Sequence, residues 1–68
     1  MDKELAPHQQ RVVQERDELN EKIEKLTAFI EDSPIFRALP DIDVEHLIGQ
    51  RGAMLLYKEY LDRRIARF

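Results

Sequence analysis

Apolar residues recur through the first half of the chain at spacings of seven, four, three and four: Val12, Leu19, Ile23, Leu26 and Ile30. This rhythm is the seam of an amphipathic, heptad-like helix, and it predicts one long helix from Pro7 to about Glu31 or Asp32. Arg16 fills the one seam position that is not apolar. Between the seam positions stand mainly Glu, Lys, Arg, Asp, Gln and Asn, with no interior Gly or Pro, so local propensity agrees with the periodicity. Pro7 suits the first turn, where its missing N–H costs nothing. Glu18–Lys22 and Glu21–Lys25 are acid-before-base pairs at i,i+4, each worth a few tenths of a kcal/mol when formed.

Ser33-Pro34 interrupts the pattern. Proline disfavours helix at the residue before it, yet Ser at an N-cap followed by Pro also opens a new helix. Pro34 to Leu39 is therefore expected as one short helical turn that tucks apolar side chains under a hairpin and is closed by Pro40. A third element follows, capped by Asp41 or Asp43 and running to about Arg67. Val44, Leu47, Ile48, Met54, Leu55, Leu61, Ile65 and Phe68 mark its apolar face, and Leu56, Tyr57 and Tyr60 broaden it. One antiparallel partner does not need so wide a face, so the surplus implies further neighbours. The predicted fold is all-α: an antiparallel helical hairpin over residues 7–68 with a short connecting helical turn, assembling into a helical homo-oligomer. Residues 1–6 are expected to be a flexible arm. Gly49 and Gly52 lie inside the third element, each costing about 1 kcal/mol relative to Ala. They read as a close approach of another backbone or of a ligand, or else as a tolerated bend.

Length and composition narrow the picture. Sixty-eight residues make one small domain, and with no Cys neither a disulfide nor a thiolate metal site can staple it. Two histidines, His8 and His46, are too few and too far apart to suggest a metal site. A chain this short gains the burial it lacks by self-association. No apolar run approaches the ~20 residues of a membrane span, and the first residues do not resemble a signal peptide, so a soluble intracellular protein is expected.

The net charge of −3 hides an asymmetry, because residues 1–50 carry six basic and twelve acidic side chains and residues 51–68 five basic and two acidic. An acidic balance disfavours long nucleic acid, whose affinity is built from many phosphate contacts. The basic end reads either as compensation of a helix dipole or as a local site for a small anion.

Catalytic chemistry finds little support. Ser33 is explained as a cap, Thr27 is the one threonine, the paired carboxylates belong to a wet helix face, and no phosphate-cradling Gly loop precedes a helix. The GxxG at Gly49 to Gly52 falls within a helix, whereas an RNA-clamping GxxG needs a loop. An enzyme is not expected, and neither is a cofactor. Binding chemistry is better represented. Arg63, Arg64 and Arg67 crowd the C-terminus near Tyr57, Tyr60 and Phe68, which suits bidentate phosphate contacts and base stacking. On the first helix His8, Arg11, Lys22 and Lys25 offer a flat ring and cations, although His8 reads most simply as an exposed first-turn residue.

The stretches HQQRVVQERDELNEKIEKLTAFI, SPIFRALP and LIGQRGAMLLYKEYLDRRIARF together resemble a family of very short phage-encoded proteins. These are the anti-CBASS cyclic-oligonucleotide sponges, whose hairpin domain also occurs in a Thoeris anti-defence sponge. The resemblance covers residues 8–68 and rests on QQRVV, the EL..KI.KL..FI rhythm and the closing L..RI..F. It implies binding and sequestration of cyclic di- or trinucleotide immune messengers without cleavage, by a homo-oligomer, typically a hexamer, in the host bacterial cytoplasm. It further implies a dinucleotide site drawing on His8, Arg11, Lys22, Lys25 and Thr27, and a trinucleotide site drawing on Arg64 with Arg63 or Arg67. His8 stands where the family often carries Tyr; imidazole can also stack, with less area. Against this stands an adaptor hairpin that binds only a protein partner, which the heptad seam alone would also explain.

Overall fold

The computed structural model describes residues 4–68, in which three helices follow one another: α1 (Pro7–Asp32), α2 (Pro34–Arg37) and α3 (Asp41–Ile65). α1 and α3 lie antiparallel as a rod with Cα extents of 51 × 16 × 16 Å. The core is the seam between them. Val12, Leu19 and Ile23 from α1 meet Leu61 from α3, and Met54, Ile65 and Phe68 pack against that cluster. Leu61 is the most deeply buried side chain, at 1% exposure. Leu26 and Ile30 continue the α1 seam half-buried, as the spacing requires.

The helix starts differ in how their free N–H groups are met. Of the expected arm, residues 1–3 lie outside the described residues, and Leu5 and Ala6 are half-buried and tied to α1. The Ala6 N–H donates to Gln9 Oε1 at 2.9 Å, and Gln10 Nε2 donates to the Leu5 carbonyl at 2.8 Å. Pro7 occupies the first helical position. Ser33 both follows α1 and caps α2: its N–H donates to the Phe29 carbonyl, and its Oγ accepts from the Ile35 N–H at 3.1 Å. The expected short turn is thus helical over Pro34–Arg37. Its tucking is partial, since Phe36 and Leu39 are half-buried while Ile35 is exposed. Phe36 meets Phe29 edge-to-face, with ring centroids 5.9 Å apart, which fixes the turn against the end of α1.

Three expectations need correction. Neither Asp41 nor Asp43 caps α3; Pro40 is the N-cap, without a side-chain bond, and both aspartates stand inside the first turn, where their charge favours the helix N-terminus. α3 ends at Ile65, and a turn through Ala66 and Arg67 carries the chain to Phe68. The anticipated Glu18–Lys22 and Glu21–Lys25 pairs do not form; Glu18 Oε1 instead accepts from Gln14 Nε2 at 3.1 Å, and both lysines stay exposed. A solvated i,i+4 pair gains only about 0.3–0.5 kcal/mol, so such pairs form at some positions and not at others.

The wide apolar face of α3 divides as its breadth suggested. One side enters the seam, and Ile48, Leu55, Leu56, Tyr57 and Tyr60 remain exposed on the other. Gly49 and Gly52 also lie on open surface, where an added Cβ would meet nothing within 4 Å. Their close approach to a neighbouring helix is therefore not made within the hairpin.

Candidate functional site

The register of the hairpin decides which candidate residues share a surface. Arg16 Nη1 donates to Asp62 Oδ1 at 2.8 Å, placing those two positions level. Each step forward along α1 is a step back along α3, so Asn20 is level with Lys58, Lys22 with Leu56–Tyr57, and Thr27 with Arg51. The ends follow: His8 and Arg11 lie at the end of the rod where α3 finishes with Arg63, Arg64 and Arg67.

Around α1, successive residues turn through about 100°, which puts His8, Arg11 and Lys22 on one flank within about 60° of one another. Lys25 extends the same flank. All four are exposed, and none makes a hydrogen bond or ion pair with a described residue. Along the axis, however, His8 and Lys22 are separated by about 21 Å at 1.5 Å per residue. Thr27 departs from the set. It is half-buried and, two positions on from Lys25, points about 160° away from it around the helix. Within one chain the structure brings His8 and Arg11 together and Lys22 and Lys25 together, and it sets Thr27 on the opposite flank with Arg16 and Asn20.

The basic end also divides. Arg63 is already engaged, donating through Nη2 to Glu59 Oε1 at 2.7 Å while its guanidinium lies 5.3 Å from the Tyr60 ring centroid. Arg64 and Arg67 are exposed and carry no bond to a described residue. Among the described residues, Arg64, Arg67 and Arg11 are therefore the guanidinium groups without a partner at this end of the rod.

Elsewhere the electrostatics are structural. Asp62 accepts from both Arg16 and Lys58, the latter at 2.9 Å. Its carboxyl is held below the usual aspartate range, first by the Lys58 hydrogen bond and then by the Arg16 one. The Arg16 guanidinium is shifted upward by its bonds to Asp62 and then Asp17. These charges fix the register rather than offering a ligand a free donor. Sequence reasoning identified Arg16 as a seam exception but passed over Arg51 and Lys58. The signal was present: Val44, Leu47, Arg51, Met54, Lys58, Leu61, Ile65 and Phe68 repeat at alternating spacings of three and four, with two cations among the apolar positions.

Among the described residues no helix is long and apolar enough to cross a membrane. No match was found among curated proteins or among solved structures. A family model described as Sequestin matches residues 6–67, which takes in all three helices. The chain therefore belongs to the Sequestin family, whose name denotes sequestration, as the QQRVV opening and the L..RI..F close implied.

Proposed function

We propose that this protein is a phage anti-defence sponge. It binds cyclic di- and trinucleotide immune messengers in the host bacterial cytoplasm and withholds them from CBASS-type effectors without cleaving them. The observation that carries this reading is the row of Arg11, Lys22 and Lys25 on one flank of α1, none paired with a described residue and with the His8 ring at its end, in a chain of the Sequestin family. A cyclic dinucleotide presents two phosphates and two bases in pseudo-twofold symmetry. A twofold between protomers would offer it each ring and each cation twice. His8 supplies the flat ring, Lys22 or Lys25 meets phosphate, Arg11 adds charge, and Thr27 adds a hydroxyl from the opposite flank of a neighbouring chain. Arg64, helped by Arg67 or Arg63, serves a trinucleotide at the basic end. Self-association supports the same reading, because the outer face of α3 leaves Ile48, Leu55, Leu56 and Tyr60 uncovered on a small hairpin. A hexamer fits the resemblance.

That same uncovered face also favours a second reading, an adaptor hairpin that docks a protein partner and binds no nucleotide. Calorimetric titration against a panel of cyclic di- and trinucleotides, with the mass measured in solution, separates the two. A sponge binds at a fixed ratio per protomer and returns intact ligand on denaturation. No heat with any nucleotide, from a protein of unchanged mass and helicity, would leave the adaptor.

A further inference from the structure

Three cations sit in the seam of this hairpin, and two of them are accounted for. Arg16 is held by Asp17 and Asp62, and Lys58 by Asp62. Arg51 is the exception: it is half-buried, yet no hydrogen bond or ion pair joins it to any described residue. Neither Glu24 nor Glu31, one turn to either side of Thr27 on α1, pairs with it. A guanidinium offers five N–H donors and cannot be neutralised by losing a proton. Among the described residues no side-chain nitrogen is buried without a partner, so these donors reach solvent and stand open to an anion, with which a guanidinium forms strong paired hydrogen bonds.

The surroundings of Arg51 suit one class of anion. Thr27, itself half-buried, is level with it across the seam and brings a hydroxyl to the same flank. Its neighbours one turn away on α3, Ile48 and Leu55, are large apolar side chains left exposed. A forked cation, a hydroxyl and an apolar floor together match a phosphate carrying an apolar, planar base.

We propose that Arg51 and Thr27 form a phosphate grip on the flank opposite Lys22 and Lys25, with a nucleotide base laid over Ile48 and Leu55. The proposal rests on the sponge reading and specifies its phosphate contact. It also gives the seam cation a role that hairpin stability alone does not supply. Two protomers meeting flank to flank would then bring the Arg51–Thr27 grip of one to the lysines of the other.

Arg51→Gln removes the charge at similar length, Arg51→Lys keeps charge but loses the fork, and Thr27→Val removes only the hydroxyl. Each is titrated with the cyclic di- and trinucleotide panel and melted with and without inorganic pyrophosphate, with mass and helicity as controls. Expected is a loss of at least about tenfold in nucleotide affinity for Arg51→Gln, a smaller loss for the other two, and unchanged assembly. Pyrophosphate should raise the melting temperature of the parent protein and not that of Arg51→Gln. Parent-like affinity and a parent-like pyrophosphate shift in Arg51→Gln would overturn the grip and leave the sponge reading standing. An Arg51-dependent pyrophosphate shift without binding to any panel member would retain the anion grip and remove the sponge reading. If neither ligand binds the parent, both fall. Should Arg51→Gln alter the mass, Thr27→Val carries the test, and parent-like binding by it counts against the grip.

Discussion

Arg16 on α1 and Asp62 on α3 are joined by a 2.8 Å charge-assisted hydrogen bond that fixes the register of the hairpin. The Asp62 carboxylate also holds Lys58, so one acid serves a cation from each helix. Shifting α3 by one turn would break the Arg16–Asp62 contact, although not the Lys58–Asp62 pair within α3, and would leave the apolar seam nearly as well matched, because a heptad face repeats. The polar cluster supplies the specificity that the repeat lacks.

A pH dependence follows. Asp62 is held below its ordinary value in the folded hairpin, so its contribution is present above the unfolded-state pKa of about 4 and is lost as pH falls through the depressed folded value. Urea denaturation between neutral pH and strongly acidic pH should show this loss, and Asp62→Asn should flatten the acid side of the profile. An Asp62→Asn protein that loses stability in acid as steeply as the parent would place the acid sensitivity elsewhere.

Leu61 should be the most costly single truncation. It is 1% exposed at the centre of the core, and Leu→Ala at such sites costs about 2–5 kcal/mol. Leu56→Ala, on the uncovered face, should change the stability of the separate hairpin little while lowering the mass in solution. Thermal melts beside sedimentation of the two variants measure the contrast. Equal losses of stability would mean that folding and assembly are one step.

Much of this was legible in the chain. The seam of α1, the Ser33 cap, the helical turn after Pro34 and the surplus apolar face of α3 each have a local cause in spacing or capping chemistry. The register was not legible, because periodicity names a face without saying which turn meets which. The partner of Arg16 lies 46 positions away in sequence. The α3 start was blurred for another reason: Pro40, Asp41 and Asp43 all suit the first turn, and the two acids act through the helix dipole without capping. At the candidate site, residue types were readable, but their grouping was not. Lys25 and Thr27 look adjacent in sequence and face opposite ways on a helix.

Gly49 and Gly52 offer a direct test of what lies over the outer face of α3. Both sit in helix with open space around them, so alanine at either should raise stability by about 1 kcal/mol through propensity alone. Melting of Gly49→Ala and Gly52→Ala, each at several protein concentrations, checks this. A drop instead, steepest at concentrations where the protein is assembled, would mean that another chain's backbone occupies the space.

The division between Lys25 and Thr27 makes a prediction about mixed assemblies. If one ligand needs both residues, a single hairpin cannot supply them, because they point about 160° apart around α1. The lysine must then come from one protomer and the hydroxyl from its neighbour. Lys25→Ala alone destroys every such site, and Thr27→Val weakens every one. When the two variants are unfolded together and refolded as a mixture, some assemblies set an intact Lys25 of one chain against an intact Thr27 of the next. Those half-sites regain both groups, so the mixture should bind more cyclic dinucleotide, by titration heat, than the average of the two variants measured separately. Binding equal to that average would mean that Lys25 and Thr27 do not meet one ligand across a protomer boundary, and Thr27 would then leave the dinucleotide site. Recovery would establish that the pocket is made by two chains, one giving Lys25 and its neighbour Thr27.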